Sequence, residues 1–498
     1  MDIAIIVIYL LAMLSFGFWG KSRTKNSSDF LVAGRRLGPA FYTGTMAAVV
    51  LGGASTVGGV GLGFKYGISG MWLVVSIAVG LLLLSLLFAG HIQRLRVYTV
   101  AQMLQLRYGI NATSASGIVM ALYTLMLTVT STIAYATIFN VLFGTSRPIS
   151  IAIGAAIVIL YSSIGGMWSI TLTDMVQFVI KTVGVFFLLL PFAWTKAGGY
   201  DGIMKRLGEA GPDHFNVTSI GLETIITFFV IYSFGMLIGQ DIWQRVFTAR
   251  SPQVAKWGGT VAGVYCVLYG VAGALIGTAA AALLPATDAK DDVYAAVAEK
   301  VLPMGLSGIV LAAAVAAMMS TASGALIATA TVARADVVPL LGRLVGRPDA
   351  GAGDGNPEHD VQSNRMYVVV LGLVATVIAM LLSDVVSALT IAYDILVGGL
   401  LVPILGGFLW KRATGPGALA AMGAGTVVTL ATMAATDVLA NEPIYFGLAA
   451  SVVAYVAASL ATPPTSEAVL KVWYGRLSGQ DVAHADDPQH ALESDEVH

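Results

Sequence analysis

Charge is scarce in this chain. Of its 498 residues only 11% are Asp, Glu, Lys or Arg, against roughly 25% in an ordinary soluble domain. A large soluble protein could not cover its surface with so few. The formal net charge of −1 names no nucleic-acid partner. The single cysteine, Cys266, excludes an internal disulfide and reads as a small apolar filler. Metal-ligand spacing, a nucleophile elbow and a phosphate loop are all lacking. The segment GGVGLG at 58–63 has no strand–turn–helix around it, so the dinucleotide reading fails. No basic n-region precedes the first apolar run and no small-residue cleavage motif accompanies it, so it is expected to be a retained helix rather than a cleaved leader.

Apolar residues are abundant, at 57%, and there are 56 glycines besides. Runs of about 20 apolar residues read as transmembrane helices. Candidate spans lie near 3–20, 39–63, 68–90, 115–141, 148–165, 171–195, 221–240, 257–284, 304–333, 366–383, 386–409, 414–436 and 443–462. The expected fold is therefore an all-α polytopic membrane protein of about 13 transmembrane helices. Residues 1–462 form the transmembrane domain, and 463–498 form a polar tail expected to be disordered. Lys and Arg concentrate in loops on the side that holds 21–38, among them Lys21, Arg23, Lys25, Arg35 and Arg36, with Arg245 and Arg250 assigned to the same side. Positive loops face the cytoplasm, which puts the N-terminus outside and the C-terminus inside a cell (inner) membrane.

Two spans break the pattern. The second carries Gly52, Gly53, Gly58, Gly59, Gly61 and Gly63, and each glycine costs a helix about 1 kcal/mol relative to Ala. Close small-xxx-small packing is one reading. The other is a discontinuous helix whose freed carbonyls coordinate a cation at mid-membrane. The ninth span contains AAVAAMMSTASGAL. Ala317, Ser320 and Thr321 stand at i, i+3 and i+4 on one face, with Ser323 three residues beyond Ser320. One hydroxyl would simply bond back to the preceding turn. Three on a face of tiny residues suit a hard monovalent cation, which takes oxygen ligands and needs no carboxylate buried in lipid.

These segments, in order with SSDFLVAGRRLGP, YTVAQMLQLRYG, GGMWSITLTDMVQF, GQDIWQRVFTAR and GGFLWKRATGPGA, resemble the sodium:solute symporter family. The resemblance covers the chain to about residue 462. It implies the leucine-transporter-like fold: a 5+5 inverted repeat, about 39–195 and 221–409, with discontinuous helices and extra helices at 414–436 and 443–462. It also implies a main Na⁺ site made by the carbonyls of Ala48, Leu51 and Ala317 and the hydroxyls of Ser320 and Thr321. A second Na⁺ site in some members would use Asp174 and Ser323. Gly324 stands where that site has another hydroxyl, so a single Na⁺ per cycle is expected. Substrate positions implied are Val50, Gly52 and Ser55 on the second span, Gly235 and Met236 on the seventh, and Thr390, Tyr393 and Asp394 on the eleventh. The pocket reads as smaller and more apolar than a sugar pocket.

Lys181 lies near the midplane of the sixth span. Intramembrane ionisable groups face the protein interior. Lys181 is either a structural partner of a carboxylate on another helix, Asp394 being one candidate, or a fixed positive charge that attracts an anionic substrate. The function expected is Na⁺-coupled symport of a small organic solute, a monocarboxylate or amino acid, in a lipid bilayer and without an obligatory protein partner. The alternatives are a membrane sensor of the same fold, or a symporter of a neutral solute such as a sugar or nucleobase.

Overall fold

The computed structural model describes residues 2–285, 290–346, 356–382, 385–437 and 440–479. Among these residues every regular element is helical, and one isolated bridge joins Leu37 to Ala249. Helix is what a chain in lipid must adopt, because each backbone polar group then finds its partner within the segment. Among the described residues ten helices are long and apolar enough to cross a membrane, and a bent pair makes an eleventh. Three of these runs, Ala54–Arg94, Arg147–Ala197 and Leu306–Leu344, have 39 residues or more and exceed one crossing. The run Arg147–Ala197 has 51 residues, about 75 Å at 1.5 Å per residue, against a hydrocarbon core of about 30 Å. It turns at Gly166, where φ is +56° and a Cβ would meet the Phe30 carbonyl at 2.6 Å. The run Ala54–Arg94 begins a new direction at Gly67, φ +62°. The spans expected at 148–165 and 171–195, and at 39–63 and 68–90, lie on either side of these two glycines.

The glycine-rich second span does both things its composition allows. Pro39 opens the helix Pro39–Val50 at its first turn, the position where a missing N–H costs nothing. The helix stops at Leu51 (φ −95°, ψ 73°) and resumes through a π-helical turn, Ala54–Gly58, into Gly59–Tyr66. Beyond the break the glycines serve packing. A Cβ on Gly63 would lie 2.7 Å from the Ala274 carbonyl, and one on Gly277 would run into the Val60 carbonyl. Backbone of the second span thus touches backbone of Pro252–Ala281 directly.

The seventh span does not end at 240 as expected. Leu222–Ile238 continues as Gln240–Thr248 after a bend of 42°, because Gly239 adopts an extended conformation (φ −64°, ψ 131°). Gln240 to Ala249 are all buried. Arg245 is therefore an interior side chain and not one of the loop charges to which the sequence assigned it. The tail also departs from expectation in part. Glu467–Ser478 is a helix started by Ser466, whose side chain accepts from the Val469 amide. Trp473 on it is fully buried and packs 5.4 Å from Phe408 between ring centroids. Spaced apolar residues, Val469, Val472, Trp473 and Leu477, give this short segment a face to bury, which its polar surroundings obscured. Residues 480–498 of the tail lie outside the described residues.

Candidate functional site: a broken helix, a cation cage and a solute cavity

Breaking the second span at Leu51 frees the carbonyls of Ala48, Val49, Val50 and Leu51 from their usual partners four residues on. Buried carbonyls need replacements. Each has one. Ala48 accepts from the Ser320 hydroxyl at 2.7 Å and from the Lys181 ammonium at 2.8 Å. Val49 accepts from Thr321 Oγ1 at 2.6 Å, and Val50 from Ser55 Oγ at 3.3 Å. Leu51 accepts from Lys181 Nζ at 3.1 Å. Ser320 Oγ is also 2.9 Å, and Thr321 Oγ1 3.5 Å, from the Ala317 carbonyl. All five expected main-site residues, Ala48, Leu51, Ala317, Ser320 and Thr321, thus meet at one point between the broken helix and Leu306–Val332. Leu306–Val332 is buried along nearly its whole length, as a central helix must be to offer hydroxyls to a neighbour. Gly52 lets it approach: a Cβ there would lie 2.8 Å from Thr321 Cβ.

Asp174 and Ser323, the candidate second site, are arranged differently. Asp174 accepts from Thr45 Oγ1 and forms an ion pair with Arg245, 3.3 Å from Nη2 to Oδ2 with both side chains fully buried. Ser323 bonds back to the Ser320 carbonyl at 3.1 Å. Gly324 makes room for the guanidinium: a Cβ there would be 2.7 Å from Arg245 Nη2. The charge opposite Asp174 is supplied by an arginine of the chain itself.

On the other side of the break lies a cavity of about 30 Å³, room for one or two waters; its walls must part to admit an organic solute. Of the nine expected substrate positions, Val50, Gly52, Ser55, Met236 and Tyr393 line it, with Gly53, Ala54, Thr130, Ser131 and Leu389. Gly235, Thr390, Asp394 and Lys181 do not. Gly235 supports the wall, since a Cβ would strike the Tyr393 ring. Thr390 is 3.1 Å from Tyr232 Oη. Asp394 is fully buried, and neither of its oxygens has a hydrogen-bond partner among the described residues. Lys181 reaches the carbonyls of the broken helix because Arg147–Thr182 packs along Pro39–Val50.

The charged wall residue was among those missed in the sequence. Asp241 lines the cavity, is 2% exposed and accepts from Tyr123 Oη at 2.8 Å. It stands two residues past the bend at Gly239, in a segment whose alternating charge looks like a loop. The glycine before a charged run within an otherwise apolar span was the available signal.

The model of the sodium:solute symporter family matches residues 30–425. The chain belongs to this family. The symporter is 26% identical to the high-affinity proline transporter PutP of Bacillus subtilis, over 92% of this chain and 97% of that one. It is 25% identical to a sodium/proline symporter of Staphylococcus aureus, covering 94% and 92%. A high-affinity choline transporter of Caenorhabditis elegans is 24% identical, covering 86% and 77%. Among solved structures, a Na⁺-coupled sialic acid symporter in a substrate-bound, outward-open state has a TM-score of 0.80 at 18% identity, covering 94% of this chain and 99% of that one. Mhp1, a nucleobase-cation-symport-1 transporter, has a TM-score of 0.55 at 16% identity, covering 91% and 98%. These two share the fold. The protein is a multi-pass membrane transporter of a small organic solute, and not an enzyme.

Proposed function

We propose that the symporter couples uptake of a compact amino acid to Na⁺. The observation that carries the substrate class is Asp241, the charged side chain in the cavity wall. A buried carboxylate facing a solute favours a cationic nitrogen and disfavours a simple monocarboxylate. Gly53 to Ser55, which line the same cavity, begin the resumed half of the second span, and half-helix N-termini receive carboxylates in transporters of this kind. The rest of the wall, Val50, Met236, Leu389 and Tyr393, suits a small apolar side chain. Along Val50, Met236 and Leu389 a neutral sugar would leave its hydroxyls without partners. The relatives named for proline and choline carry nitrogen-bearing solutes, which agrees with this reading.

Na⁺ travels through the cage of Ala48, Leu51, Ala317, Ser320 and Thr321. Asp174 is engaged by Arg245, which supports a single ion. The two helix breaks, at Leu51 and at Gly239, fall in the opening helix of each expected half. That supports repeats at about 39–195 and 221–409. The excess of Lys and Arg near 21–38 supports an outside N-terminus and a cytoplasmic C-terminus.

Uptake into proteoliposomes with an inward Na⁺ gradient tests the reading. Amino acids should be taken up, and monocarboxylates and sugars should not. Asp241→Asn should cost about 2 kcal/mol in solute affinity, roughly thirtyfold. Uptake of a monocarboxylate that survives Asp241→Asn would overturn the substrate class.

A further inference from the structure

The Na⁺ cage is not free for Na⁺ in this conformation. Lys181 Nζ lies 2.8 Å from the Ala48 carbonyl and 3.1 Å from the Leu51 carbonyl, two of the five oxygens that would bind the ion. The lysine is fully buried. An ammonium has three donors and no acceptor, so it asks of the cage what Na⁺ asks: carbonyl and hydroxyl oxygens pointing inward. Ser320 spends its proton on the same Ala48 oxygen or on Ala317, which adds a second competitor for these lone pairs. Asp174 and Cys266 are the titratable groups that act electrostatically on Lys181, and Asp174 is already paired with Arg245. The ammonium therefore depends on the cage carbonyls for its hydrogen bonds. Two positive charges cannot share so small a space in a medium of low dielectric constant.

The geometry points to Lys181 as a tethered rival of the sodium ion: its ammonium fills the cage when Na⁺ is out and must withdraw before Na⁺ can enter. This rests on the cage being the Na⁺ site of the proposed function. Two consequences follow. The break in the second span stays satisfied without the ion, because Lys181 holds the Ala48 and Leu51 carbonyls in its place. And the apparent Na⁺ affinity is lowered by the fraction of protein in which the ammonium occupies the cage.

The test is Na⁺ binding itself, read on full-length protein in detergent by thermal stabilisation and tryptophan fluorescence, with KCl exchanged isosmotically for NaCl and no solute present. Lys181→Met keeps most of the length of the side chain and removes the charge. It should lower the half-maximal Na⁺ concentration by roughly tenfold or more, and adding Ser320→Ala should abolish that gain. If Lys181→Met does not fold, Lys181→Gln is read in the same way. A wild-type Na⁺ response that neither variant strengthens overturns the proposal and leaves the proposed function standing. No response in wild type but one in Lys181→Met sustains the proposal and removes Na⁺ coupling through this cage from the wild-type cycle. No response in any form overturns both.

Discussion

At the scale of single residues, two basic side chains stand in the interior of this symporter around one helix. Lys181 and Arg245 both sit fully buried beside the central helix Leu306–Val332, and their partners differ. Lys181 is held by neutral carbonyls, whereas Arg245 is held by the carboxylate of Asp174. Removing one member of a buried pair leaves the other charge uncompensated and costs about 3–5 kcal/mol, while removing both is far cheaper. Arg245→Met should therefore lower the melting temperature sharply in detergent. Asp174→Asn should lower it too. The double variant Asp174→Asn/Arg245→Met should recover most of the loss, and a thermal-unfolding cycle reads the coupling. Additive losses would mean that the two groups do not stabilise each other.

At the scale of elements, the second span decides the site. Its first half ends where carbonyls are needed, and its second half is pressed onto Pro252–Ala281 through glycines. Gly277 faces the Val60 carbonyl and the Phe64 amide, with no space for a side chain. Overpacking of this kind costs about 1–3 kcal/mol, occasionally more. Gly277→Val should reduce the folded, monodisperse fraction on size-exclusion chromatography, while Gly423→Val, where a Cβ meets nothing within 4 Å, should not. The pairing of this span with the ninth was legible in the sequence because glycine density and clustered hydroxyls each signal a local departure from an ordinary lipid-facing helix. Lys181 was legible as buried but not as a carbonyl partner. Sequence depth gives height in the membrane, whereas the neighbour it meets depends on how two helices rotate against each other. Asp241 was hidden for a related reason. A bent helix writes its second half in the polar alphabet of a loop, and only the bend at Gly239 turns that half back into the interior.

At the scale of the whole molecule, the fold class followed from composition, since few architectures satisfy backbone polar groups in lipid. Orientation depends on a charge bias that the interior partly borrows: Arg107 and Arg245 are fully buried and report nothing about loops. Ser22, Arg23 and Lys25 are exposed at one end of the first helix, and Lys205, Arg206 and Glu209 are exposed in the segment after Ala197. Cys266 is fully buried, so its replacement by Ala gives a background without reactive thiols. In that background Ser22→Cys should react with a membrane-impermeant maleimide only after the cells are permeabilised. Lys205→Cys should react in intact cells. Both variants must first retain uptake, which shows that each labels a folded transporter. The reverse pattern would turn the molecule over in the membrane. The proposed Na⁺ and solute sites would keep their geometry, and only the side of the membrane from which they are reached would change.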